Sequence, residues 1–366
     1  MNAREILDGL SAPAELVEAG EGGSQRCVAC AHHCLVKPGG RGICGVRFNR
    51  DGVLMAPRGY VAGMQIDPIE KKPFNHFLPG GEVLTFGMLG CNFHCCFCQN
   101  WFSSQALRDP LAEDAVRSIR RISAERLVQY AVDNGAVAVA SSYNEPLITT
   151  EWAVETFKLA KANGLKTVYV SNGYASPQAL GYLAPWLDGY KVDLKSMRDE
   201  EYRKMGGRLQ PVLDTIRRVH ELGLWLEVVT LVIPGMNDSS DELWETGRFL
   251  TSISRDIPWH VTAYHPDYRE DAPPTPAETL KRAAEIGQEA GLRYVYAGNL
   301  PGRVGSLEDT LCPKCGKQVI VRRGYLLSGY HLTPEGNCGF CAEPVAGVWQ
   351  ANPVDKHGSG YPRLIR

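Results

Sequence analysis

The residues best suited to chemistry in this chain are three closely spaced cysteines, Cys91, Cys95 and Cys98. Their spacing is C-x3-C-x2-C, and they directly follow an apolar run at residues 83–89. Iron–sulfur cubes usually have four cysteine thiolates, so three thiolates leave one iron free to bind an external ligand. The spacing therefore predicts a reactive iron–sulfur cluster. The alternative is a zinc ion or a structural cluster that takes Cys96 as its fourth ligand.

The remaining cysteines are grouped as well. The chain has 12 cysteines, which fall into three groups of four, at positions 27, 30, 34 and 44, at 91, 95, 96 and 98, and at 312, 315, 338 and 341. Tight grouping brings sulfurs together around metals, and a chain of this length does not need disulfides for stability. We therefore expect metal sites and a reducing, cytoplasmic compartment.

The C-terminal group consists of two C-x2-C pairs. Cys312 and Cys315 form the first pair, Cys338 and Cys341 form the second, and 22 residues separate the two. Four thiolates in two such pairs predict a closed, structural zinc site of the zinc-ribbon type. A redox-active C-x2-C pair or a rubredoxin-type iron is the alternative.

The N-terminal group, Cys27, Cys30, Cys34 and Cys44, has the spacing C-x2-C-x3-C-x9-C. It predicts either a second zinc site or an accessory 4Fe–4S cluster that feeds electrons inward. The glycine-rich surroundings favour zinc, and the two histidines between Cys30 and Cys34 are further candidate ligands.

Composition excludes several classes of protein. The chain has 366 residues, of which 44% are hydrophobic, and a net charge of −2. No segment approaches the roughly 18 consecutive apolar residues that a membrane span requires. Residues 1–20 mix charged side chains among the apolar ones, unlike a secretory signal. The near-neutral charge gives no general attraction to nucleic acids.

The middle of the chain alternates strand-like and helix-like segments. Candidate strands lie at residues 83–89, 136–142, 166–171, 190–194, 224–233, 260–264 and 294–297. Candidate helices lie at residues 124–134, 150–163, 177–183, 201–222, 240–253 and 276–290. This alternation predicts an α/β fold with a parallel sheet, arranged as a partial or full TIM-type (β/α) barrel. A doubly wound open sheet is the competing arrangement.

Polar residues follow the ends of these predicted strands. They are Asn144 and Glu145 after the second strand, Asn172 after the third, Asp193 and Lys195 at the fourth, and His265 after the sixth. In barrels of this type the active site is built from the loops at the carboxyl ends of the strands. We therefore expect these side chains to meet the cysteine motif at one site.

The cysteine groups predict four parts of the chain. Residues 1–60 form a cysteine-rich metal-binding unit, and residues 61–304 form the barrel. Residues 305–349 form a zinc-ribbon-like unit, and the polar residues 350–366 form a flexible tail.

Several segments resemble those of the radical S-adenosylmethionine (SAM) superfamily. The C-x3-C-x2-C motif is the signature of that superfamily, and Asn172-Gly173 and Asp193-Leu194-Lys195 resemble segments of the pyruvate formate-lyase activating enzymes. Over about residues 26–345 the chain resembles the branch known as AmmeMemoRadiSam-system enzymes. Other matching segments are Ile69-Glu70-Lys71-Lys72-Pro73, Gln99-Asn100-Trp101, Ile233-Pro234-Gly235 and Thr310-Leu311-Cys312.

The resemblance implies a cofactor and a reaction. Cys91, Cys95 and Cys98 would hold a 4Fe–4S cluster, whose open iron binds the amino and carboxylate groups of SAM. An electron from the reduced cluster would cleave SAM, and the resulting 5′-deoxyadenosyl radical would abstract hydrogen from a substrate. The cofactor supplies this chemistry, and the protein positions SAM and substrate.

The resemblance also implies contacts to SAM. Tyr143-Asn144-Glu145-Pro146 stands where the superfamily usually has Gly-Gly-Glu, so Glu145 is expected to bind the SAM ammonium. Phe97 is expected to pack beside the adenine, and Asn172 to bind the ribose or the carboxylate of SAM. The remaining expected contacts are Lys195 to the SAM carboxylate, Asp193 to the amine or a cation, and His265 to SAM or the substrate.

The leading interpretation is therefore a radical SAM oxidoreductase. It would take electrons from a donor such as ferredoxin or flavodoxin and act on a small molecule or on a protein, as in glycyl-radical activation. One alternative is a non-catalytic, metal-stapled module that binds RNA or protein, and another is an electron carrier. Neither alternative gives a use to Glu145 or Lys195. We expect no membrane partner and no nucleic-acid partner.

Overall fold

The computed structural model describes residues 3–350 and the short strand Arg363–Leu364. The flexible tail expected at residues 350–366 lies almost entirely outside these described residues. Within the described range, no helix is both long enough and apolar enough to span a membrane.

The α-helices of the described residues are mostly short and lie between strands. They are α1 (Ala3–Asp8), α2 (Trp101–Ser104), α3 (Ala124–Asp133), α4 (Thr150–Ala162), α5 (Pro177–Leu183), α6 (Asp199–Lys204), α7 (Leu209–Glu221), α8 (Ser240–Ile253) and α9 (Ala277–Glu289). Ser123, Ser176 and Ser239 cap α3, α5 and α8, because each side chain accepts a hydrogen bond from a backbone amide in the first turn.

The first 60 residues form two small antiparallel sheets. The strands are β1 (Ser11–Pro13), β2 (Val17–Ala19), β3 (Gln25–Cys27), β4 (Leu35–Val36), β5 (Phe48–Arg50) and β6 (Val53–Pro57). One sheet has the order β1-β6-β5, and the other has the order β2-β3-β4.

The rest of the chain is organised around one large sheet. Its strands and their neighbours are β7 (Tyr60–Val61), β8 (Gly63–Pro68), β9 (Glu82–Gly87), β10 (Arg120–Arg121), β11 (Ala138–Ser141), β12 (Lys166–Ser171), β13 (Gly189–Asp193), β14 (Trp225–Val232), β15 (Trp259–Ala263), β16 (Val295–Gly298), β17 (Thr310–Leu311), β18 (Gln318–Arg323), β19 (Leu326–Tyr330) and β20 (Arg363–Leu364). The nine-stranded sheet has the order β16-β15-β14-β13-β12-β11-β9-β8-β20, and β17, β18 and β19 form a separate sheet.

The predicted α/β fold with a mainly parallel sheet is confirmed. Strands β9 and β11 to β16 run parallel, whereas β8 and β20 are antiparallel additions at one edge. Among the described strands the two edges, β16 and β20, do not pair, so the sheet does not close into a complete barrel. Most residues of the parallel strands are buried, as expected for strands of a parallel sheet, and Val83, Leu84 and Phe86 of β9 are fully buried.

The single helix predicted at residues 201–222 is wrong, since the structure has α6 and α7 with a break between them. Gly206 in the break has a φ of +87°, and a Cβ added there would lie 2.4 Å from the ring of His94. A Cβ on Gly207 would lie 2.4 Å from the ring of Phe93. The break therefore makes room for the loop that carries the cysteine motif.

A buried carboxylate joins the sheet to the loop before β9. Glu227 of β14 accepts hydrogen bonds from the backbone amides of Asn75 and His76, both at 2.9 Å, and its Oε2 lies 2.6 Å from Nε2 of His260. Burial opposes ionisation, but His260 and His76 hold the pKa of Glu227 below its usual value. Its contribution to stability is therefore fully present above the pKa of the unfolded chain and is lost as the pH falls through the folded value.

Replacing Glu227 by Ala should lower the free energy of unfolding by about 3 kcal/mol, because two amides and a buried histidine lose their acceptor. Glu278 of α9 is a matched control, since its side chain is 81% exposed and pairs only with Lys281 of the same helix. Its replacement by Ala should change stability little. Urea unfolding followed by circular dichroism measures both variants. Equal losses in the two variants would contradict this role of Glu227.

Candidate functional site

A cavity of about 380 Å³ lies at the carboxyl ends of the parallel strands. Cys91, Cys95 and Cys98 form part of its wall. Residues at or near the ends of successive strands form much of the rest, namely Ser142, Tyr143, Asn144, Glu145, Asn172, Asp193, Lys195, Val229, Leu231, Thr262 and Asn299. Because β11 to β16 and the loop after β9 all contribute residues to the wall, the open sheet curls around this cavity. The expected meeting of strand-end residues with the three cysteines is therefore observed for most of them.

The cysteine loop, residues 91–98, receives hydrogen bonds at its sulfurs. The Phe93 amide donates to Sγ of Cys91 at 3.4 Å, and the Ser104 hydroxyl lies 3.3 Å from Sγ of Cys98. Burial raises the pKa of Cys95 to about 12, although Lys195 opposes the rise. A metal bound here must therefore displace a proton from Cys95.

Cys96, the fourth cysteine of the loop, faces a different direction. It is exposed, and its Sγ lies 3.3 Å from Oε2 of Glu270. It does not belong to the described wall of the cavity. The loop thus presents three sulfurs to the cavity and holds the fourth outside it.

The C-terminal cysteines form the tightest sulfur cluster. The sulfurs of Cys312, Cys315, Cys338 and Cys341 all lie within 4.8 Å of one another. Sγ of Cys312 is 3.5 Å from Sγ of Cys341, and Sγ of Cys315 is 3.8 Å from Sγ of Cys338. Four sulfurs at this spacing can bind one metal ion.

The cavity's three cysteines have a different geometry. Within residues 3–350, the C-terminal group is the one set of three or more ligating side chains whose donor atoms all lie within 4.8 Å of one another. The sulfurs of Cys91, Cys95 and Cys98 are therefore spread more widely. Thiolates on a cube bind different irons and must stand further apart than thiolates on one ion, so this set fits a cube.

Glu145 is buried and already accepts several hydrogen bonds. Its Oε2 accepts from the Asn172 amide at 2.7 Å, and its Oε1 accepts from the Ser171 hydroxyl at 2.7 Å and the Leu147 amide at 3.1 Å. Burial raises the pKa of Glu145 to about 7, and these donors oppose the rise. Since a carboxylate oxygen accepts two hydrogen bonds, Oε2 retains one position for a ligand.

Asn144 and Asn172 use their side chains to hold other loops. Asn172 Nδ2 donates to Oδ1 of Asn92 at 2.8 Å, and its own Oδ1 accepts from the Tyr174 amide at 3.0 Å. Asn144 Oδ1 accepts from the Met88 amide at 3.0 Å. Both carboxamides thus fix the chain on either side of Cys91, and their contacts to SAM stay a prediction.

Asp193 lies between two lysines at the cavity wall. It forms ion pairs with Lys191 and with Lys195, whose Nζ is 3.4 Å from Oδ2 of Asp193. Burial opposes ionisation, but the two lysines hold the pKa of Asp193 below its usual value. Burial also disfavours the Lys195 ammonium, but Asp193 and Cys95 raise its pKa. Nζ of Lys195 lies 5.9 Å from the ring centroid of Phe97, so this charge faces the cysteine loop.

His265 lies apart from the other predicted contacts. It is exposed, and its Nε2 lies 3.1 Å from Nε2 of Gln99, which lines the cavity. The described wall does not include His265 itself. Its expected contact to SAM or substrate stays a prediction. In the structure, Gln99 separates His265 from the cavity.

Sequence reasoning missed several residues of the wall. Lys191 was recognisable, because alternation along β13 places it on the same face as Asp193. Lys72 is buried, pairs with Asp67 at 2.6 Å and lies 4.5 Å from the ring centroid of Tyr143. Tyr325 reaches the cavity from the turn between β18 and β19, which no local pattern indicates.

The N-terminal cysteines lie next to the cysteine loop. His32 Nε2 is 3.0 Å from the backbone oxygen of Asn92. Burial raises the pKa of Cys30, and the Asn92 side chain opposes this rise, so the carboxamide lies close to that sulfur. Two of the three cysteine groups therefore share a boundary at Asn92.

Comparison with known proteins agrees with this geometry. The profile of the Radical SAM superfamily matches residues 86–250, which include the cysteine loop and the strand ends up to β14. The protein MJ0808 of Methanocaldococcus jannaschii is 37% identical over 324 residues, which cover 87% of this chain and 94% of that protein. The chain belongs to the radical SAM superfamily.

More distant relatives of this radical SAM chain have a named activity. A pyruvate formate-lyase-activating enzyme of Staphylococcus epidermidis is 22% identical over 238 residues, or 61% of this chain and 92% of that enzyme. Streptococcus suis SuiB is a solved structure with 18% identity and a TM-score of 0.46, over 63% of this chain and 52% of SuiB. The superfamily implies a 4Fe–4S cluster and SAM, and the three sulfurs at the cavity fit that cluster.

Replacing Cys338 by Ser should remove about one metal atom per chain, because a closed site with three sulfurs left is open to water. The melting temperature should fall as well, since metal binding contributes to folding. Cys96→Ser is the matched control, because this exposed sulfur belongs neither to the C-terminal group nor to the cavity wall. Total zinc and iron per chain are measured by plasma mass spectrometry. An unchanged metal content in the Cys338→Ser variant would contradict a metal site in the C-terminal group.

Proposed function

We propose that this chain reductively cleaves SAM at a 4Fe–4S cluster on Cys91, Cys95 and Cys98. The resulting 5′-deoxyadenosyl radical abstracts a hydrogen atom from a substrate in the same cavity. The observation that carries this proposal is the arrangement of three sulfurs from one loop on the wall of a cavity that is also lined by Lys195 and Asp193.

The direction of Cys96 supports an open coordination position. A fourth thiolate from the same loop would close the cluster, but this sulfur is exposed and contacts Glu270. The eight cysteines of the two outer groups belong to separate sites. The open position therefore faces the cavity, where SAM binds.

The charged side chains complement the two charges of the SAM amino-acid group. Lys195 is placed to bind the carboxylate, and the free acceptor position of Glu145 is placed to bind the ammonium. When Lys195 turns toward SAM, Lys191 still neutralises Asp193. Asp193 can therefore lose its ion pair with Lys195 without becoming an unpaired buried charge.

The apolar part of the wall keeps water away from the radical. Phe97, Val229 and Leu231 line the cavity between the charged groups. Phe97 is buried within the cysteine loop, which suits packing against the adenine of SAM. Excluding water prevents side reactions of a radical and strengthens the surrounding ion pairs.

The names of the relatives and the sulfur spacing support two further points of the proposal. The homologous activating enzymes are named for a protein that they activate, and we propose a residue of another protein as the hydrogen donor. The sulfur spacings of 3.5 and 3.8 Å in the C-terminal group agree with zinc, because a metal–sulfur bond of about 2.3 Å gives a tetrahedron edge of roughly 3.8 Å. The electron donor is a low-potential protein such as ferredoxin or flavodoxin.

Cys91→Ala should abolish the formation of 5′-deoxyadenosine, because a cube with two protein thiolates is lost or inactive. Cys96→Ala should retain it, since this residue of the same loop faces away from the cavity. Both variants are reconstituted without oxygen, reduced with dithionite and given SAM, and the product is measured by liquid chromatography. Failure of the unaltered chain to form 5′-deoxyadenosine while it holds the cluster would refute the proposed function.

Lys195→Met should weaken SAM binding by roughly tenfold, because a charge-assisted contact contributes about 1.5 kcal/mol or more. Lys204→Met is the control, since Lys204 is 71% exposed and pairs with Glu201 on α6. Equilibrium binding of SAM to the reconstituted, unreduced protein gives the affinity without turnover. The same affinity in both variants would argue against Lys195 as a carboxylate ligand.

A further inference from the structure

The N-terminal cysteines converge in one buried region beside the cysteine loop. Cys27, Cys30 and Cys44 are buried, and Cys34 is partly buried. The Cys27 amide donates to the Cys34 carbonyl at 2.9 Å, which joins the first and third members. The four residues thus belong to one site, although they span two strands and a long turn.

The sulfur spacing of this group argues against a single ion. Among the described residues, the C-terminal group is the set of ligating side chains close enough together to hold one metal ion, and these four cysteines do not form such a set. A zinc ion with four thiolates needs sulfur spacings of roughly 3.8 Å. The wider spacing is shared with Cys91, Cys95 and Cys98, and it fits a cluster in which each thiolate binds its own iron.

Hydrogen-bond donors lie beside these sulfurs. Arg47 is buried, and its Nη1 donates to Sγ of Cys27 at 3.4 Å while its Nη2 pairs with Glu151. The Ile43 amide lies 3.5 Å from Sγ of Cys34. Nδ2 of Asn92 is buried and makes no hydrogen bond within the described part of the chain. Such donors stabilise the extra negative charge of a reduced cluster.

The two cysteine loops are in direct contact. Arg108 donates from Nη1 to the Phe93 carbonyl at 2.8 Å and from Nη2 to the Ile43 carbonyl, so it bridges them. Gly90 has a φ of +96°, and a Cβ added there would lie 2.8 Å from Cγ1 of Val46 and 3.3 Å from the Cys44 carbonyl oxygen, so a side chain would be strained at this approach. An electron has a short, well-packed route from one loop to the other.

We propose that Cys27, Cys30, Cys34 and Cys44 hold a second iron–sulfur cluster, which relays electrons to the cluster at Cys91, Cys95 and Cys98. A reduced low-potential iron–sulfur or flavin protein gives one electron to the second cluster and is itself oxidised by one electron. The same electron passes to the cavity's cluster and is consumed when the carbon–sulfur bond of SAM breaks. The relay rests on the proposed function, whereas the presence of the second cluster does not.

The first experiment tests the cluster without any activity. The full chain carrying Cys91→Ala, Cys95→Ala and Cys98→Ala is reconstituted without oxygen and reduced with dithionite. It should retain about four irons and four sulfides and show the electron paramagnetic resonance signal of a reduced cluster. Adding Cys27→Ala and Cys30→Ala should remove both. A second zinc ion per chain, beyond the one at the C-terminal group, together with the absence of iron in the first variant would overturn the proposal.

A milder variant guards against misfolding in this experiment. Cys34 is the most accessible of the four, so Cys34→Ser in the same background should preserve the fold, as judged by circular dichroism. Its iron content should fall or its resonance signal should shift, because one iron changes its ligand. An unchanged signal and iron content would exclude Cys34 as a ligand and overturn the four-cysteine site.

The second experiment tests the relay in the chain with an intact cysteine loop. Cys27→Ala/Cys30→Ala is compared with the unaltered chain, using either dithionite or a reduced flavodoxin as the donor. Dithionite is small enough to reach the cavity's cluster, so 5′-deoxyadenosine should still form with it. Formation with flavodoxin should be lost. Equal retention with both donors, or equal loss with both, would overturn the relay.

Discussion

The site depends on the fixed placement of three sulfurs, which the cysteine loop cannot maintain by itself. A loop that presents three sulfurs in one direction has no regular secondary structure of its own, so neighbouring segments must hold it. Asn172 bonds to the side chain of Asn92, and the His94 amide donates to the Met205 carbonyl at 3.0 Å. The ends of β12 and α6 thus bond to polar groups of this loop and hold it against the sheet.

A second constraint is the handling of buried charge. Lys191, Asp193 and Lys195 form a row with one more positive than negative charge at the wall. An isolated charge at this depth would be costly, whereas a row with a shared carboxylate keeps every member paired. The excess positive charge lies on the same cavity wall as Cys91, Cys95 and Cys98, whose thiolates would be negative in a cluster. The electrostatics of the wall are therefore complementary to the cluster before any substrate enters.

The sequence predicted the parallel sheet and the residues at its strand ends, because period and strand-end position are local signals. It did not predict β8, whose sequence Gly-Met-Gln-Ile-Asp-Pro has no clear period, nor the break at Gly206. The rings of His94 and Phe93 exclude a side chain at that break, and these residues are more than 100 positions away in the chain. The position of Tyr325 and the contact between the two cysteine loops could not be predicted either, since both arise from packing between distant segments.

The position of Tyr325 has a consequence for how such a protein can diverge. The cavity is built mainly by the curled sheet, but this part of its wall comes from a hairpin whose own fold is organised around a separate group of four sulfurs. Changes in that hairpin can reshape the entrance while leaving the thiolates and the row of charges in place. The two parts of the cavity wall therefore belong to segments that can evolve independently of each other.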